Sequence, residues 1–250
     1  MVSLVALTGN NVLVSFESDA QDMTASIAIR GLDGLLIGID TRPADGLIYG
    51  LTNRQKIYTI DPDTGASTFV SELDTSFDAG KVSGFDFNPM ADRLRLVGEN
   101  KQDFRVNVDT GEVIVDGRIA YASDDPNRLR NPRVTAAAYT NAIADAETTV
   151  LYNIDTGNNT LVRQEPPDEG TLRTVGPLGV GFRAAGGFDI VSSASGENTG
   201  FAISNNTLYS INLETGAATS LGSVSFDDSA DGDDAFRGLT VRASPAPTPT

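Results

Sequence analysis

Apolar and polar residues alternate in short runs along most of the 250-residue chain, and Asp, Gly, Asn or Pro residues separate the runs. A period of two is typical of β-strands that bury one face. A helical period is nearly absent, and we expect at most one helical turn, around residues 141–147, where Ala is concentrated. The pattern therefore predicts an all-β protein.

The pattern of strands repeats along the chain. The segment IGIDTRPADGLIYGLTNRQKIYTIDPDTGAST and the segment SGFDFNPMADRLRLVGENKQDFRVNVDTGEVI both open on Gly-x-Asp-x-x-Pro and close on Asp-Thr-Gly. Weaker copies begin at Thr135 and Gly186. We expect the closing Gly of each copy to take a positive φ in a tight turn between strands. These glycines are Gly65, Gly111, Gly157 and Gly216.

The spacing of the copies predicts a closed ring. Asp40 aligns with Asp86, Ala138, Asp189 and Thr240, at steps of 46, 52, 51 and 51 residues. The last of these strands has no room after it for a complete unit, but the N-terminal residues resemble the missing part. Units of about 50 residues with four short strands are typical of propeller blades. We expect a five-bladed β-propeller of four-stranded antiparallel blades, closed by a blade that the N- and C-termini share.

We expect residues 1–243 to form a single domain and residues 244–250 to form a Pro/Thr-rich linker. The five blades are predicted at residues 4–30 plus 236–243, 35–75, 82–118, 134–176 and 185–225.

The composition excludes several kinds of chemistry. The chain has no His and no Cys. It therefore has no Ser-His-Asp or Cys-His nucleophile, no disulfide and no zinc or iron–sulfur site of the usual kind. Only oxygen ligands remain, so any bound metal is expected to be a hard cation such as calcium.

The charge and hydropathy exclude two classes of partner. A formal net charge of −16 repels nucleic acid and anionic lipid surfaces. No run of 18 apolar residues is present, so we expect no insertion into a membrane. The opening MVSLVALTGNN lacks the basic and apolar regions of a secretory signal, so we expect no signal peptide in this chain.

Several phrases resemble a known family. GFDFNP, DRLRLV, VTAAAYTN, LYNIDT and GGFDI are similar to the bacterial domain of unknown function 4394 family, and the resemblance extends from Val5 to Val241. It implies a propeller-like domain, often carried by exported or surface proteins, and so favours an extracellular, cell-surface or periplasmic location. It implies no catalytic residues.

The first candidate site is a set of three carboxylates, Asp40, Asp86 and Asp189, at one repeated position of the innermost strand. That strand lines the channel of a propeller, so the three can converge and bind Ca²⁺ there. The alternative is structural: each Asp accepts hydrogen bonds from the backbone of the adjacent blade and fixes the spacing of the blades.

Two further segments are candidates. Asp227, Ser229 and Asp231 match the opening of a calcium loop, but Gly238 stands where a Glu ligand is needed, so only a weak metal loop or a solvated acidic connector is expected.

The third candidate is the long connector YASDDPNRLRNPR, which carries Arg128, Arg130 and Arg133 on an acidic molecule. It is predicted either to bind a partner or to neutralise Asp124 and Asp125.

Three functional hypotheses follow. The leading one is a non-enzymatic scaffold or interaction module that binds a protein or surface partner, because no catalytic constellation is present. The alternative is a calcium-dependent hydrolase or lactonase-like enzyme at the mouth of the channel, acting through the axial carboxylates. In the third hypothesis, the chain is a subunit of a larger assembly.

Overall fold

The protein is described by a computed structural model that covers residues 1–182, 185–193, 195–224 and 236–242. Within these residues, the strands form five sheets. Blade 1 contains β1 (Ser3–Thr8), β2 (Val12–Glu17), β3 (Ala20–Ala28) and the last strand of the chain, β21 (Phe236–Val241). Blade 2 contains β4 (Leu36–Thr41), β5 (Ile48–Thr52), β6 (Lys56–Ile60) and β7 (Ser67–Glu72).

The other three blades follow in chain order. Blade 3 contains β8 (Ser83–Asn88), β9 (Arg93–Gly98), β10 (Asp103–Val106) and β11 (Val113–Val115). Blade 4 contains β12 (Ala120–Tyr121), β13 (Val134–Tyr139), β14 (Leu151–Asp155), β15 (Thr160–Gln164) and β16 (Thr171–Pro177). Blade 5 contains β17 (Ala185–Ser192), β18 (Asn198–Ser204), β19 (Thr207–Ile211) and β20 (Ala218–Ser223).

The ring is closed by the two ends of the chain. Strand β21 pairs antiparallel with β1, and Leu239 lies opposite Ala6 while Thr240 lies opposite Val5. The innermost strands β21, β4, β8, β13 and β17 then follow one another around the axis. This confirms the predicted five-bladed propeller with a blade shared between the termini.

Glycine allows the innermost strands to approach each other closely. A Cβ atom at Gly38 would lie 2.7 Å from the Cβ of Phe85 on the next blade, and one at Gly84 would lie 2.7 Å from the Cβ of Ala137. Both distances are too short for non-bonded carbon atoms. The repeated Gly-x-Asp sequence therefore places a glycine at the strand contact and an aspartate two residues later, on the same face of the strand.

The apolar core lies mainly between blades. One cluster joins blades 2 and 3 around Phe87 and Phe104, and another joins blades 4 and 5 around Phe188 and Ile154. The outer strands are more exposed, as the half-buried β7 shows. Since each blade buries its faces against its neighbours, the loops at both ends of the ring rest on a rigid frame.

Three details differ from the sequence prediction. Blade 4 has a fifth strand, because the two-residue β12 pairs parallel with β16 at its outer edge. Residues 141–147 form no helix, and Asn141 and Asp145 take φ values of 56° and 57°, which a right-handed helix excludes. A 3₁₀ turn lies instead at Pro167–Glu169.

The Asp-Thr-Gly turn of blade 4 also differs from the others. Gly65, Gly111 and Gly216 have φ between 69° and 80° and join the third and fourth strands of their blades, as predicted. Gly157 is not in the positive-φ region, so the prediction for it is wrong. Its turn joins β14 and β15, which are the second and third strands counted outward from the innermost strand β13. In this turn Asn159 takes a positive φ of 55°.

Candidate functional site

The three aspartates of the repeated position meet at one end of the axis. Asp40 lies on β4, Asp86 on β8 and Asp189 on β17, and all three side chains are buried. One carboxylate oxygen of each lies within 4.8 Å of the corresponding oxygens of the other two. The three residues that align at equivalent positions of three blades in the sequence therefore lie close together in the fold.

Each of these carboxylates also connects its blade to the next one. Asp40 Oδ2 accepts a hydrogen bond from the N–H of Phe87 at 2.9 Å, and Asp86 Oδ1 accepts one from the N–H of Tyr139 at 3.0 Å. Asp189 Oδ2 accepts one from the N–H of Val241 at 2.7 Å. In every case the donor is the residue that follows the repeated position of the next blade.

The remaining two junctions differ from this arrangement. Thr240 occupies the repeated position of β21, and its Oγ1 accepts from the N–H of Thr41 at 2.9 Å, so a hydroxyl replaces the carboxylate. The same hydroxyl donates to Asp40 Oδ1 at 2.9 Å. Ala138 occupies the position in blade 4 and has no acceptor in its side chain.

The junction of blades 4 and 5 is bridged further out. Ser192 Oγ accepts from the N–H of Ala142 at 2.8 Å, and Asn198 Oδ1 accepts from the N–H of Asn141, also at 2.8 Å. Two polar side chains of blade 5 thus replace the carboxylate that blade 4 lacks.

Burial and mutual repulsion disfavour the charged form of the three carboxyl groups. Burial raises the pKa of Asp40 well above its usual range, and the charge of Asp189 adds to the effect. The pKa of Asp86 is also raised well above its usual range, by burial and then by the charges of Asp40 and Asp189. Burial raises the pKa of Asp189 to about 6. The cluster therefore holds protons in mild acid and gains negative charge as the pH rises.

A cavity of about 200 Å³ opens over the cluster. The three aspartates line it together with Ser192, Thr240 and Arg42, among others. The Arg42 guanidinium forms ion pairs with carboxylates of the surrounding loops. Its Nη2 lies 2.6 Å from Asp92 Oδ2, and its Nη1 lies 3.0 Å from Asp109 Oδ1. The cavity thus has an acidic floor and a neutralised basic wall.

The basic loop, residues 121–133, is anchored firmly at its base. Asp125 Oδ2 accepts from the N–H of Thr174 at 2.6 Å, and Asp125 Oδ1 accepts from the N–H of Asn127 at 2.7 Å. Asp124 forms an ion pair with Arg173 at 3.1 Å. The carboxylates that were expected to neutralise the loop arginines are therefore engaged elsewhere.

The tip of the basic loop is exposed and positively charged. Arg128 and Arg130 are exposed, and Leu129 between them has 90% of its surface accessible. Within the described ranges, no ion pair joins Arg128 or Arg130 to a carboxylate; Arg130 Nη1 reaches only the Asn158 amide oxygen, at 3.3 Å. Arg133 differs, because its Nη2 lies 2.7 Å from Glu99 Oε1. The sequence prediction grouped three arginines, of which two are available to a partner.

The other acidic candidate, Asp227, Ser229 and Asp231, lies outside the described residues, as does the predicted linker at 244–250.

Sequence reasoning missed a buried ion-pair network in blade 3, which a hydrogen bond connects to blade 4. The Arg95 side chain is almost fully buried, and its Nη1 lies 2.7 Å from Asp103 Oδ1 and 2.6 Å from Asp116 Oδ2. Arg95 Nε donates to the Tyr139 hydroxyl at 3.1 Å. Burial raises the pKa of Asp103 to about 6 against the lowering effect of Arg95. The only signal in the sequence was an arginine among leucines in RLRL, which an exposed strand face explains equally well.

Among the helices that the structure describes, none has the length and apolar character needed to cross a membrane.

The fold and the axial site define a five-bladed β-propeller with a cluster of buried carboxylates at one mouth of its channel. The chain belongs to the family called Domain of unknown function (DUF4394), whose sequence model matches residues 12–234. No protein with a curated function matches it in sequence.

Solved structures share the fold at low sequence identity. A protein of unknown function from Bacteroides thetaiotaomicron is similar with a TM-score of 0.56 and 15% identity, over 94% of this chain and 61% of that one. An auxiliary nutrient binding protein from the same organism is similar with a TM-score of 0.51 and 13% identity, over 94% of this chain and 63% of that one. This chain thus spans about three fifths of the length of these two proteins, and the likeness shows the fold alone.

Proposed function

We propose that this chain is a non-enzymatic binding module that presents the basic loop to an acidic partner, either a protein or a component of a surface. The observation that carries this proposal is the pair of exposed guanidiniums, Arg128 and Arg130, without a carboxylate partner in the described part of an acidic molecule. Arginine is enriched at the centres of interfaces because its planar fork matches a carboxylate.

The construction of the loop supports this function. Asp125 ties the base of the loop to Thr174 on blade 4, so the tip is ordered before any partner arrives. Ordering in advance reduces the entropy lost on binding. Leu129 adds an exposed apolar group between the two charges. A rigid tip of alternating charge and apolar surface matches an acidic patch with an apolar centre.

The name of one structural neighbour supports a binding role. We further propose that binding takes place at the cell surface or in the periplasm, which the family resemblance favours. One structural neighbour, from Bacteroides thetaiotaomicron, is called an auxiliary nutrient binding protein, which is in keeping with a binding role. Membership in a larger assembly follows if the acidic partner is stably bound.

The test is a comparison of three purified baits in an extract of the native cells. The first bait is the wild-type protein, the second carries Arg128→Ala, Leu129→Ser and Arg130→Ala, and the third carries Arg54→Ala and Lys81→Ala as a control with the same loss of charge. We expect the wild type and the control to retain the same stoichiometric partner in a salt-dependent way, and the loop variant to lose at least 90% of it. Equal retention by the loop variant, or no stoichiometric partner, contradicts the proposal.

A second candidate function is calcium-dependent hydrolase or lactonase-like chemistry at the axial mouth. The observation in its favour is the convergence of three carboxylates within 4.8 Å beneath an open cavity. Asp86 and Asp189 each give one oxygen to the next blade and keep the other for a cation, whereas both oxygens of Asp40 already accept hydrogen bonds. Water would complete the six to eight ligands that calcium takes. A calcium titration followed by melting temperature tests this: the wild type should gain stability at pH 8, whereas Asp86→Asn should not. No gain in the wild type contradicts calcium binding at the axis.

A further inference from the structure

Blade 4 carries two arginines directly opposite each other on neighbouring strands. Arg163 on β15 pairs in register with Arg173 on β16, and Tyr152 on β14 pairs with Arg163 on the other side. Residues paired in this way project from the same face of a sheet, and like charges in directly opposite positions repel each other. This arrangement is destabilising unless something compensates the two guanidiniums.

The compensation within the chain is incomplete. Arg173 Nη1 contacts both oxygens of Asp124, at 3.1 and 3.3 Å, in an ion pair that is about half exposed. The nearest carboxylate to Arg163 is that of Glu165, at 3.9 Å from Nη2, which is beyond hydrogen-bonding distance. The Arg163 Cζ atom lies 5.9 Å from the centre of the Tyr152 ring, so the ring supports the guanidinium from one side.

One donor of Arg163 has no acceptor. Its Nε atom is buried and forms no hydrogen bond within the described residues. Buried donors are nearly always paired, so the chain itself leaves the Arg163 guanidinium incompletely satisfied. The other end of the same side chain is exposed, because 41% of its surface is accessible.

The two arginines open into a groove of about 340 Å³ between blades 4 and 5. Val175 and Leu213 form an apolar part of the groove wall, and Glu165 and Glu214 also line the groove. The volume lies in the usual range for sites that bind small molecules. The glutamates and the net charge of −16 oppose a doubly charged anion more than a singly charged one.

We propose that this rim groove, defined by Tyr152, Arg163, Arg173, Val175 and Leu213, binds a small ligand with one carboxylate on an apolar body. The ligand's carboxylate accepts from the exposed Nη end of Arg163 and from Arg173, in the coplanar geometry that a guanidinium offers to a carboxylate. The apolar body lies against Val175 and Leu213. Asp124 competes with the ligand for Arg173. The groove is separate from the axial cavity and does not depend on a partner for the basic loop.

Side-chain NMR of the arginine Nε–Hε groups tests the proposal directly. The ¹⁵N-labelled protein is titrated with sodium butyrate, sodium sulfate and sodium chloride at equal ionic strength, and the Arg163 signal is assigned by its loss in Arg163→Lys. We expect butyrate to shift the Arg163 signal with saturation in the millimolar range, whereas chloride produces no saturable shift and sulfate binds more weakly than butyrate.

Two surface substitutions make the test selective. Arg173→Gln should weaken butyrate binding at least tenfold, and Asp124→Asn should strengthen it severalfold, because it frees Arg173 without touching Arg163. Arg54→Gln is the control and should leave binding unchanged. If Arg163→Lys folds poorly, the test still stands, because the butyrate affinity of the Nε–Hε signal that shifts in the wild type must change in both surface variants. The proposal is overturned if chloride acts like butyrate, if sulfate binds more tightly, or if Arg173→Gln and Asp124→Asn bind as the wild type does.

Discussion

The carboxylate of Asp189 accepts a hydrogen bond from the backbone N–H of Val241, with 2.7 Å between Oδ2 and N. This bond crosses the seam between blade 5 and the blade that the two chain ends share. Val241 ends the strand that pairs with β1, so the aspartate fixes the C-terminal strand on one side while the N-terminal strand fixes it on the other. The closure of the ring thus depends on a short C-terminal strand held from both sides.

Removal of that strand should therefore unfold the ring. Phe236, Leu239 and Thr240 are buried, and a chain that ends before Phe236 leaves the edge of β1 and the apolar faces of blades 1 and 5 uncovered. We expect a gross loss of melting temperature by calorimetry or circular dichroism. A chain that ends after Ser244 retains every described contact of the strand and should melt as the full chain does. An unchanged melting temperature after the longer deletion would refute the shared blade.

Replacement of Asp189 separates its hydrogen bond from its charge. Asp189→Ala leaves the partly buried N–H of Val241 without an acceptor, which should cost about 1–3 kcal/mol of unfolding free energy. Asp189→Asn keeps an oxygen acceptor and is neutral, as the carboxyl group itself mostly is at pH 5 with its pKa of about 6, so it should cost less than the alanine variant. Urea unfolding at pH 5 measures both. Equal losses for the two variants would show that the hydrogen bond across the seam contributes nothing.

The stability of the protein should fall as the pH rises above the ordinary value of a carboxyl group. Burial raises the pKa of Asp189 from 3.8 to about 6, and the pKa values of Asp40 and Asp86 move in the same direction. Between the unfolded and folded values, the folded protein holds more protons than the unfolded chain, so each rise in pH favours unfolding. In calcium-free buffer, the unfolding free energy should decrease from pH 4 through pH 6 and beyond.

The Asp86→Asn variant is the matched control for this pH dependence. It removes one carboxylate from the cluster and keeps an oxygen for the N–H of Tyr139. We expect a flatter dependence and a higher unfolding free energy than the wild type at pH 8, measured by urea titration without calcium. A wild-type stability that rises steadily from pH 5 to pH 8 is incompatible with the raised pKa values.

The buried network around Arg95 predicts that replacing Arg95 lowers the free energy of unfolding strongly, and that a second substitution restores part of it. Arg95→Met leaves Asp103 without its cation in a buried position, which should cost about 3–5 kcal/mol. Asp116 keeps a partner in Arg105, at 2.7 Å. The double variant with Asp103→Leu should therefore recover part of the loss in a denaturant titration. If the double variant is no more stable than Arg95→Met, the loss of stability comes from altered packing and not from the unpaired charge of Asp103, which contradicts the prediction.

The ring of blades could be predicted from the sequence because its determinants are local and repeated. Gly38 and Asp40 recur as Gly84 and Asp86, and period-two alternation with turn residues fixes the strands between them. The junctions could be predicted only in part. Thr240 falls at the aligned position, yet a threonine carries no signal that its hydroxyl replaces a carboxylate.

Contacts between distant segments could not be predicted from the pattern. Asp124 and Asp125 neighbour the loop arginines in sequence, but the folded chain places Arg173 and Thr174 of β16 closer to them. The Asp-Thr-Gly sequence of blade 4 is the same as in the other blades, but its turn lies one hairpin earlier in the blade. The sequence of a turn does not indicate which pair of strands the turn joins.

The central claim of a binding module is tested most directly by photo-crosslinking at the tip of the basic loop. A photoreactive amino acid replaces Leu129 in the protein expressed in its native cells, and the same residue replaces Met90, an exposed apolar side chain on a different loop, as the control. We predict one discrete crosslinked product from position 129, abolished when Arg128→Ala and Arg130→Ala are added, and none from position 90. Absence of a product at 129, or the same product at both positions, would contradict the claim.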